Sequence, residues 1–216
     1  MIDWTKITTV FLDLDGTLLD LRFDNHFWLE YVPQCYADKH GLDIDQSHKT
    51  LKQKYSEAYG SLNWYCVEYW TEELGLDIAG LKQSIRGKIC VRPHVEEFLQ
   101  ALHMRGKRVV LVTNAHPLSF EVKLQETGLG HYFHRIITSH ALSYAKEEAE
   151  FWQKLEEIEP VDKTATLFID DNFTVLDAAR QYGIEHLLAI KQPDSGEADK
   201  EHPHYHLLES FEEIKP

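Results

Sequence analysis

The 216 residues carry 36 acidic against 22 basic side chains, a formal net charge of −14. A surface that negative repels phosphate backbones and anionic membranes, which excludes a broad basic face for extended nucleic acid. Hydrophobic residues make up 43% and charged residues 27%, enough apolar content for a packed core and too much for a disordered chain. No apolar run approaches the roughly 18 residues needed to span a bilayer. The start, Met-Ile-Asp-Trp-Thr-Lys, lacks a basic stretch followed by an apolar one. Three cysteines (Cys35, Cys66, Cys90) without Cys-x-x-Cys spacing point to reduced thiols. The expectation is an acidic, cytoplasmic, globular protein without a membrane partner.

The first predicted element is a strand over Thr8–Leu12, β-branched and aromatic, ending in Asp13-Leu14-Asp15-Gly16-Thr17. Leu12 and Leu14 flank Asp13 and suit a strand buried on both faces. Residues 21–90 carry no good strand; helices are predicted over 24–39, 46–59, 62–74 and 78–87, separated by His40-Gly41, Gly60-Ser61 and Gly75-Leu76. From Arg92-Pro93 strands and helices alternate. A helix over 94–104 precedes a strand at Val109–Val112, and a helix over 118–127 precedes Arg135–Thr138. A helix over 147–158 precedes Thr166–Ile169, and a helix over 173–182 precedes His186–Ile190. The pattern predicts an α/β fold: a Rossmann-like parallel sheet of five strands with helices on both faces and an all-helical insertion after the first strand. The core is assigned to 1–20 and 91–216, the insertion to 21–90. The tail from Gln192 reads as loop, with a short helix near 207–213.

Ligands of open parallel sheets bind beyond the carboxyl ends of the strands. There the first strand delivers Asp13 and Asp15, the second Thr113 and Asn114, and the fourth Asp170 and Asp171, while Lys146 follows the third. Taken singly, an Asp after a strand usually forms a turn or caps a helix, and a lone lysine is usually solvated. Their coincidence at successive strand ends argues for a site. Several carboxylates on one edge repel one another unless a cation neutralises them, and hard oxygen donors in small number favour Mg²⁺.

These residues, in this order, resemble the four motifs of the haloacid dehalogenase (HAD) superfamily of phosphatases, over roughly residues 8–190. The insertion resembles the helical cap of that superfamily's first cap class. Two positions depart from the common pattern: many relatives have Lys-Pro where this chain has Lys146-Glu147, and Gly-Asp where it has Asp170-Asp171. The resemblance implies that Asp13 attacks phosphorus to form an aspartyl-phosphate and that Asp15 is the acid and then the base. It also implies that Mg²⁺ is held by Asp13, the Asp15 carbonyl and Asp171, with Asp170 assisting. Gly16, Thr113, Asn114 and Lys146 would receive the phosphate. The second carboxylate argues against a dehalogenase, whose halide leaves without a proton.

Substrate choice falls to the insertion. Phe23-Asp24-Asn25, Leu62-Asn63-Trp64-Tyr65-Cys66, Thr113-Asn114-Ala115-His116-Pro117 and Pro193-Asp194-Ser195-Gly196 resemble the bacterial GMP/IMP nucleotidases of the superfamily. That resemblance implies a purine nucleoside monophosphate as the small phosphorylated partner. Asn63 and Trp64 are predicted to meet the base, Arg22 and His116 to stand at the mouth between cap and core. Most other aromatic residues of the insertion are expected in its core. The competing readings are a phosphatase or mutase for a sugar phosphate or another small phosphometabolite and, from a different class, a non-catalytic binding protein of the same fold. His202-Pro203-His204-Tyr205-His206 reads as a solvated loop.

Overall fold

In the computed structural model, which describes residues 2–216, Thr9–Leu12 forms β1 and is buried at every position. Arg108–Thr113 (β2), Arg135–Thr138 (β3), Thr166–Asp170 (β4), His186–Ile190 (β5) and Leu207–Leu208 (β6) complete the sheet in the order β3-β2-β1-β4-β5-β6. Every pairing is parallel. The strand order reverses direction beside β1, which makes its carboxyl end the crevice of the sheet.

Alternation along the strands feeds two cores. Val10 and Leu12 share one face with Val109, Leu111, Leu167 and Ile169, covered by Phe98, Leu99 and Leu102. Phe11 faces the other side with Val110, Val112 and Phe168, against Phe151, Trp152, Leu155, Val175 and Leu176. Strands clothed on both faces need apolar side chains at successive positions, which is why β1, β2 and β4 read as continuous hydrophobic runs.

The inserted segment leaves and rejoins this core through paired backbone. Leu19 bridges Val91, the Asp20 N–H donates to the Cys90 carbonyl at 2.9 Å, and the Arg92 N–H donates to Leu18 at 3.0 Å. It comprises Arg22–His26 (α1), a π turn at Phe27–Tyr31, Val32–His40 (α2), Ile44–Ala58 (α3), Val67–Leu74 (α4) and Ile78–Ser84 (α5). Its own core gathers Phe27, Val32, Leu51, Val67, Trp70, Leu74 and Ile78. Trp70 is almost fully buried and meets Tyr55 edge-on at 5.2 Å between ring centroids. Val95–Met104 (α6), Pro117–Thr127 (α7), Ser139–Leu142 (α8), Ala149–Ile158 (α9) and Phe173–Tyr182 (α10) complete the core. Among the described residues no helix is long and apolar enough to cross a membrane.

Three expectations need correction. The sheet has six strands rather than five: Leu207–Leu208 pairs with the edge of β5, satisfying backbone groups that an open edge would leave to solvent. The expected helix over 207–213 is therefore that strand followed by a tight turn at Phe211–Ile214, closed by a capping box between Ser210 and Glu213. The helix expected over 62–74 is broken at Cys66, which is extended; its sulfur accepts the Tyr69 N–H and caps α4, while Leu62–Tyr65 makes a separate turn.

Candidate active site

The sheet register sets Leu12 beside Leu111 and Ile169, so the residues after them emerge at one edge. The chain turns at once after β1. Leu14 is fully buried, and its carbonyl accepts the N–H groups of Leu18 and Leu19 at 2.9 Å. Gly16 has φ +83°, and a Cβ there would stand 2.7 Å from the Asp171 carboxyl carbon. Glycine is required for both the left-handed conformation and the close approach of the two strand-end loops.

Lys146 is the hub of the edge. Its Nζ donates to Asp13 Oδ1 at 2.6 Å, to Asp170 Oδ2 at 2.6 Å and to the Val112 carbonyl at 3.2 Å, and the residue is only 2% exposed. Burial alone would lower its pKa, but Asp13 and Asp170 outweigh that and hold the ammonium above its ordinary value. Burial pushes Asp13 up to about 6 against the pull of Lys146, with Asp170 adding to the rise. Asp170 and Asp171 are likewise pushed up to about 6, chiefly by burial. Asp170 Oδ1 also accepts the Asn172 N–H at 2.8 Å, and Lys200 from the tail donates to Asp171 Oδ2 at 3.1 Å. Thr113 is 1% exposed, its hydroxyl oxygen accepting the Ala115 N–H at 3.0 Å.

Asp15 sits in a different electrical setting. Lys123 Nζ on α7 lies 2.7 Å from both Asp15 Oδ1 and Asp24 Oδ2, and Lys82 on α5 lies 2.9 Å from Asp24 Oδ1. Lys82 and Lys123 are 3% and 1% exposed, so each depends on these carboxylates to remain charged. Burial and the repulsion of Asp24 push Asp15 up to about 6 despite Lys123. Burial would raise Asp24 too, but Lys123 and Lys82 hold it well below the carboxylate range. The chain Asp15–Lys123–Asp24–Lys82 thus ties the acidic turn to the insertion. Replacing Lys123 with Met leaves Asp15 without its cation and is expected to destabilise the fold by about 3 kcal/mol. Urea unfolding followed by circular dichroism reads this directly, and an unchanged midpoint would contradict the network.

The residue in the usual proline position, Glu147, acts as a clamp. Its carboxylate accepts from the Tyr65 hydroxyl at 2.7 Å and from Asn114 Nδ2 at 2.9 Å. Asn114 Oδ1 in turn accepts the Lys146 N–H at 2.9 Å. The loop carrying Lys146 is therefore positioned by side chains where a proline would stiffen the backbone.

These groups open into a cavity of about 540 Å³ between insertion and core, within the range of small-molecule sites. Its floor holds Asp13, Asp15 and Asp171, and its roof includes Trp28, Trp64 and Tyr65. The predicted set Asp13, Asp15, Thr113, Asn114, Lys146, Asp170 and Asp171 lines this one cavity, as do Trp64 and His116. Arg22 and Asn63 are exposed and lie outside the lining; the Arg22 guanidinium is 3.8 Å from Asp194. Sequence reasoning gave no role to Lys82, Lys123 or Lys200, and marked Glu147 only as a departure from the family pattern. For Lys123 a signal was present, a lysine at helical spacing from the apolar Phe120 and beside Leu124.

Asp13, Asp170 and Asp171 each offer a carboxylate oxygen within 4.8 Å of the others. An all-oxygen set of this size, with all three carboxyls driven upward by crowding and burial, fits a hard divalent cation. With a chelator present, these three carboxyls hold more protons in the folded than in the unfolded chain between about pH 4 and about pH 6. Raising the pH from about 5 to about 7 is then expected to lower the thermal midpoint. Saturating Mg²⁺ is expected to raise the midpoint at neutral pH and flatten that dependence. A melting curve indifferent to Mg²⁺ would contradict the cation site.

Comparison with known proteins agrees with this architecture. The GMP/IMP nucleotidase YrfG of Escherichia coli (strain K12) is 39% identical over 215 residues, covering 100% of this chain and 97% of that protein. The (S)-2-haloacid dehalogenase of Pseudomonas sp. (strain YL) is 22% identical over 190 residues, covering 82% of this chain and 80% of that protein. The crystal structure of a HAD phosphatase from Thermococcus onnurineus superposes with a TM-score of 0.81 at 21% identity, covering 96% of each chain. The family model of haloacid dehalogenase-like hydrolases matches residues 7–183, the span from β1 to the end of α10 that carries all four strand-end groups. The chain is an enzyme of the haloacid dehalogenase-like hydrolase family.

Proposed function

We propose that the protein is a Mg²⁺-dependent phosphomonoester hydrolase for purine nucleoside 5′-monophosphates, with residues 21–90 as a selectivity cap over a core of 1–20 and 91–216. The observation that carries this reading is the pair Asp13 and Asp15 in one turn, held by different lysines. Asp13 is paired with Lys146, and Asp15 with Lys123. Full-length identity of 39% to a GMP/IMP nucleotidase supports the purine preference.

In the first step a carboxylate oxygen of Asp13 attacks phosphorus and the bond from phosphorus to the nucleoside 5′ oxygen breaks. Asp15 in its acid form gives that oxygen its proton. A carboxyl pushed up to about 6 retains an acid fraction near neutrality, which an ordinary Asp would lack. In the second step Asp15 takes a proton from water as the water oxygen attacks phosphorus. The Asp13–phosphorus bond breaks and inorganic phosphate leaves. Lys146 and the Thr113 hydroxyl stabilise the phosphoryl oxygens as charge redistributes. Mg²⁺ would be held by Asp13, Asp171 and the Asp15 carbonyl, with Asp170 beside them, and when bound it neutralises the repulsion between nucleophile and phosphate. The base rests on the aromatic roof formed by Trp28, Trp64 and Tyr65.

Phosphorus NMR of GMP incubated with enzyme and Mg²⁺ tests the reaction type. Inorganic phosphate and guanosine are expected in equal amounts. A phosphoryl group that stays on the substrate at a new position would replace hydrolysis with a mutase, and unchanged GMP would overturn the nucleotidase reading.

A further inference from the structure

A second group of metal-ligating side chains lies where the insertion meets the core, apart from the carboxylate edge; of its members His116 also lines the cavity. Cys66, His116 and His140 each present a ligand atom within 4.8 Å of the others. Cys66 N-caps α4 on the insertion, whereas His116 N-caps α7 and His140 belongs to α8 on the core. The two imidazoles meet edge-to-face, with ring centroids 4.5 Å apart at 86°. Glu68, also on α4, approaches both sides of the group: its Oε2 lies 2.7 Å from His116 Nε2 and 3.7 Å from Cys66 Sγ.

His140 adds an independent sign. Its Nε2 is shielded from solvent and has no hydrogen-bond partner among the described residues. A buried polar nitrogen without a partner costs free energy that a ligand would recover.

We propose that Cys66, His116 and His140, with Glu68 as fourth donor, bind a borderline-soft divalent ion of the zinc class and so fasten the insertion to the core. One thiolate, two neutral imidazoles and one carboxylate form the nitrogen, sulfur and oxygen set that Zn²⁺ takes in four-coordinate sites. Two ligand charges of −1 balance the ion. The carboxylate edge, by contrast, has only oxygen donors and suits Mg²⁺, so the two sites separate by ligand softness. On binding, the Cys66 thiol releases its proton to solvent. The proton between His116 Nε2 and Glu68 is also displaced: His116 keeps one proton on Nδ1, giving up the 3.3 Å cap bond from the Leu118 N–H. Two ligands come from the insertion and two from the core, so the occupied site holds the roof against the floor and slows exchange of substrate and product. That last consequence rests on the hydrolase reading; the binding itself does not.

The test uses the full chain with Mg²⁺ saturating the carboxylate edge. Titration with Co²⁺ as a spectroscopic stand-in is expected to give visible bands of tetrahedral cobalt with a sulfur-to-metal charge-transfer band, at one equivalent, and Zn²⁺ is expected to displace it. Cys66→Ser retains a capping oxygen at α4 but is expected to abolish the charge-transfer band. It is expected to weaken Zn²⁺ binding in calorimetry by more than the roughly 10–100-fold that loss of an outer-shell partner costs. His140→Gln is expected to weaken binding without abolishing the charge-transfer band. A His202→Asn/His204→Asn variant is expected to bind as the parent does. No cobalt–sulfur band in the parent, or binding lost with the tail histidines and retained in Cys66→Ser, would overturn the site. One equivalent of Zn²⁺ is expected to slow GMP hydrolysis in the parent and to leave Cys66→Ser unaffected. Binding without slowing would overturn the fastening of insertion to core and leave the hydrolase reading standing.

Discussion

Replacing Asp13 with Asn is expected to lower phosphate release from a nucleoside monophosphate by at least about 10⁴-fold, because the amide cannot form the aspartyl-phosphate and loss of a covalent nucleophile removes the whole route. Stability is expected to move little, or upward. Asp13 is a buried carboxyl pushed up to about 6 and repelled by Asp170, so neutralising it relieves strain among like charges. Lys146 retains Asp170 at 2.6 Å as its counter-charge. An Asp13→Asn protein that melts like the parent but turns over within tenfold of it would remove Asp13 from the chemistry.

Lys146→Met is expected to harm both stability and rate. The lysine is the cation shared by Asp13 and Asp170, and it fills a buried position where water cannot substitute. Removing one partner from a buried ionic group costs about 3–5 kcal/mol, equivalent to a drop in melting temperature of roughly 6–20 °C for a chain of this size. Mg²⁺ at the same edge is expected to restore part of the loss. Turnover is expected to fall a further 10²–10³-fold or so, the usual effect of deleting one donor to a transition-state oxygen. The comparison with Lys123→Met separates the roles: both substitutions destabilise, but only Lys146 stands against Asp13, the proposed nucleophile. A Lys146→Met protein with unchanged melting would contradict the shared ion pair.

The alternating architecture was legible because strands buried on both faces leave long apolar runs and helices leave spaced ones. Arg135–Thr138 and His186–Ile190 were read at their observed bounds. Leu207–Leu208 was not, since two residues carry no periodicity and the strand exists only through its pairing with β5. Cys66 broke an apparently continuous helical pattern because its sulfur offered the backbone an alternative partner. At the site, the four strand ends were visible as polar residues following apolar strands. Their support was harder to see: Lys123 meets Asp24 across 99 residues and Tyr65 meets Glu147 across 82. A lysine inside an apolar helical stripe announces a buried charge but not the carboxylate that neutralises it. The missing proline after Lys146 likewise left the loop unexplained until the Glu147 clamp from Tyr65 and Asn114 was seen.

The net charge of −14 and an anionic substrate are compatible because lysines offset the cavity carboxylates locally and a bound divalent cation would complete the neutralisation. Lys146, Lys123, Lys82 and Lys200 stand among the cavity carboxylates. The measurement that tests the account most directly is inorganic phosphate release across GMP, IMP, pyrimidine nucleotides, phosphoglycolate and sugar phosphates, each with Mg²⁺ and with a chelator. GMP and IMP are expected to turn over fastest, and only with Mg²⁺. Faster turnover of phosphoglycolate or a sugar phosphate would contradict the purine nucleotidase, and undiminished release in chelator would contradict the metal-dependent chemistry built on Asp13, Asp15 and Asp171.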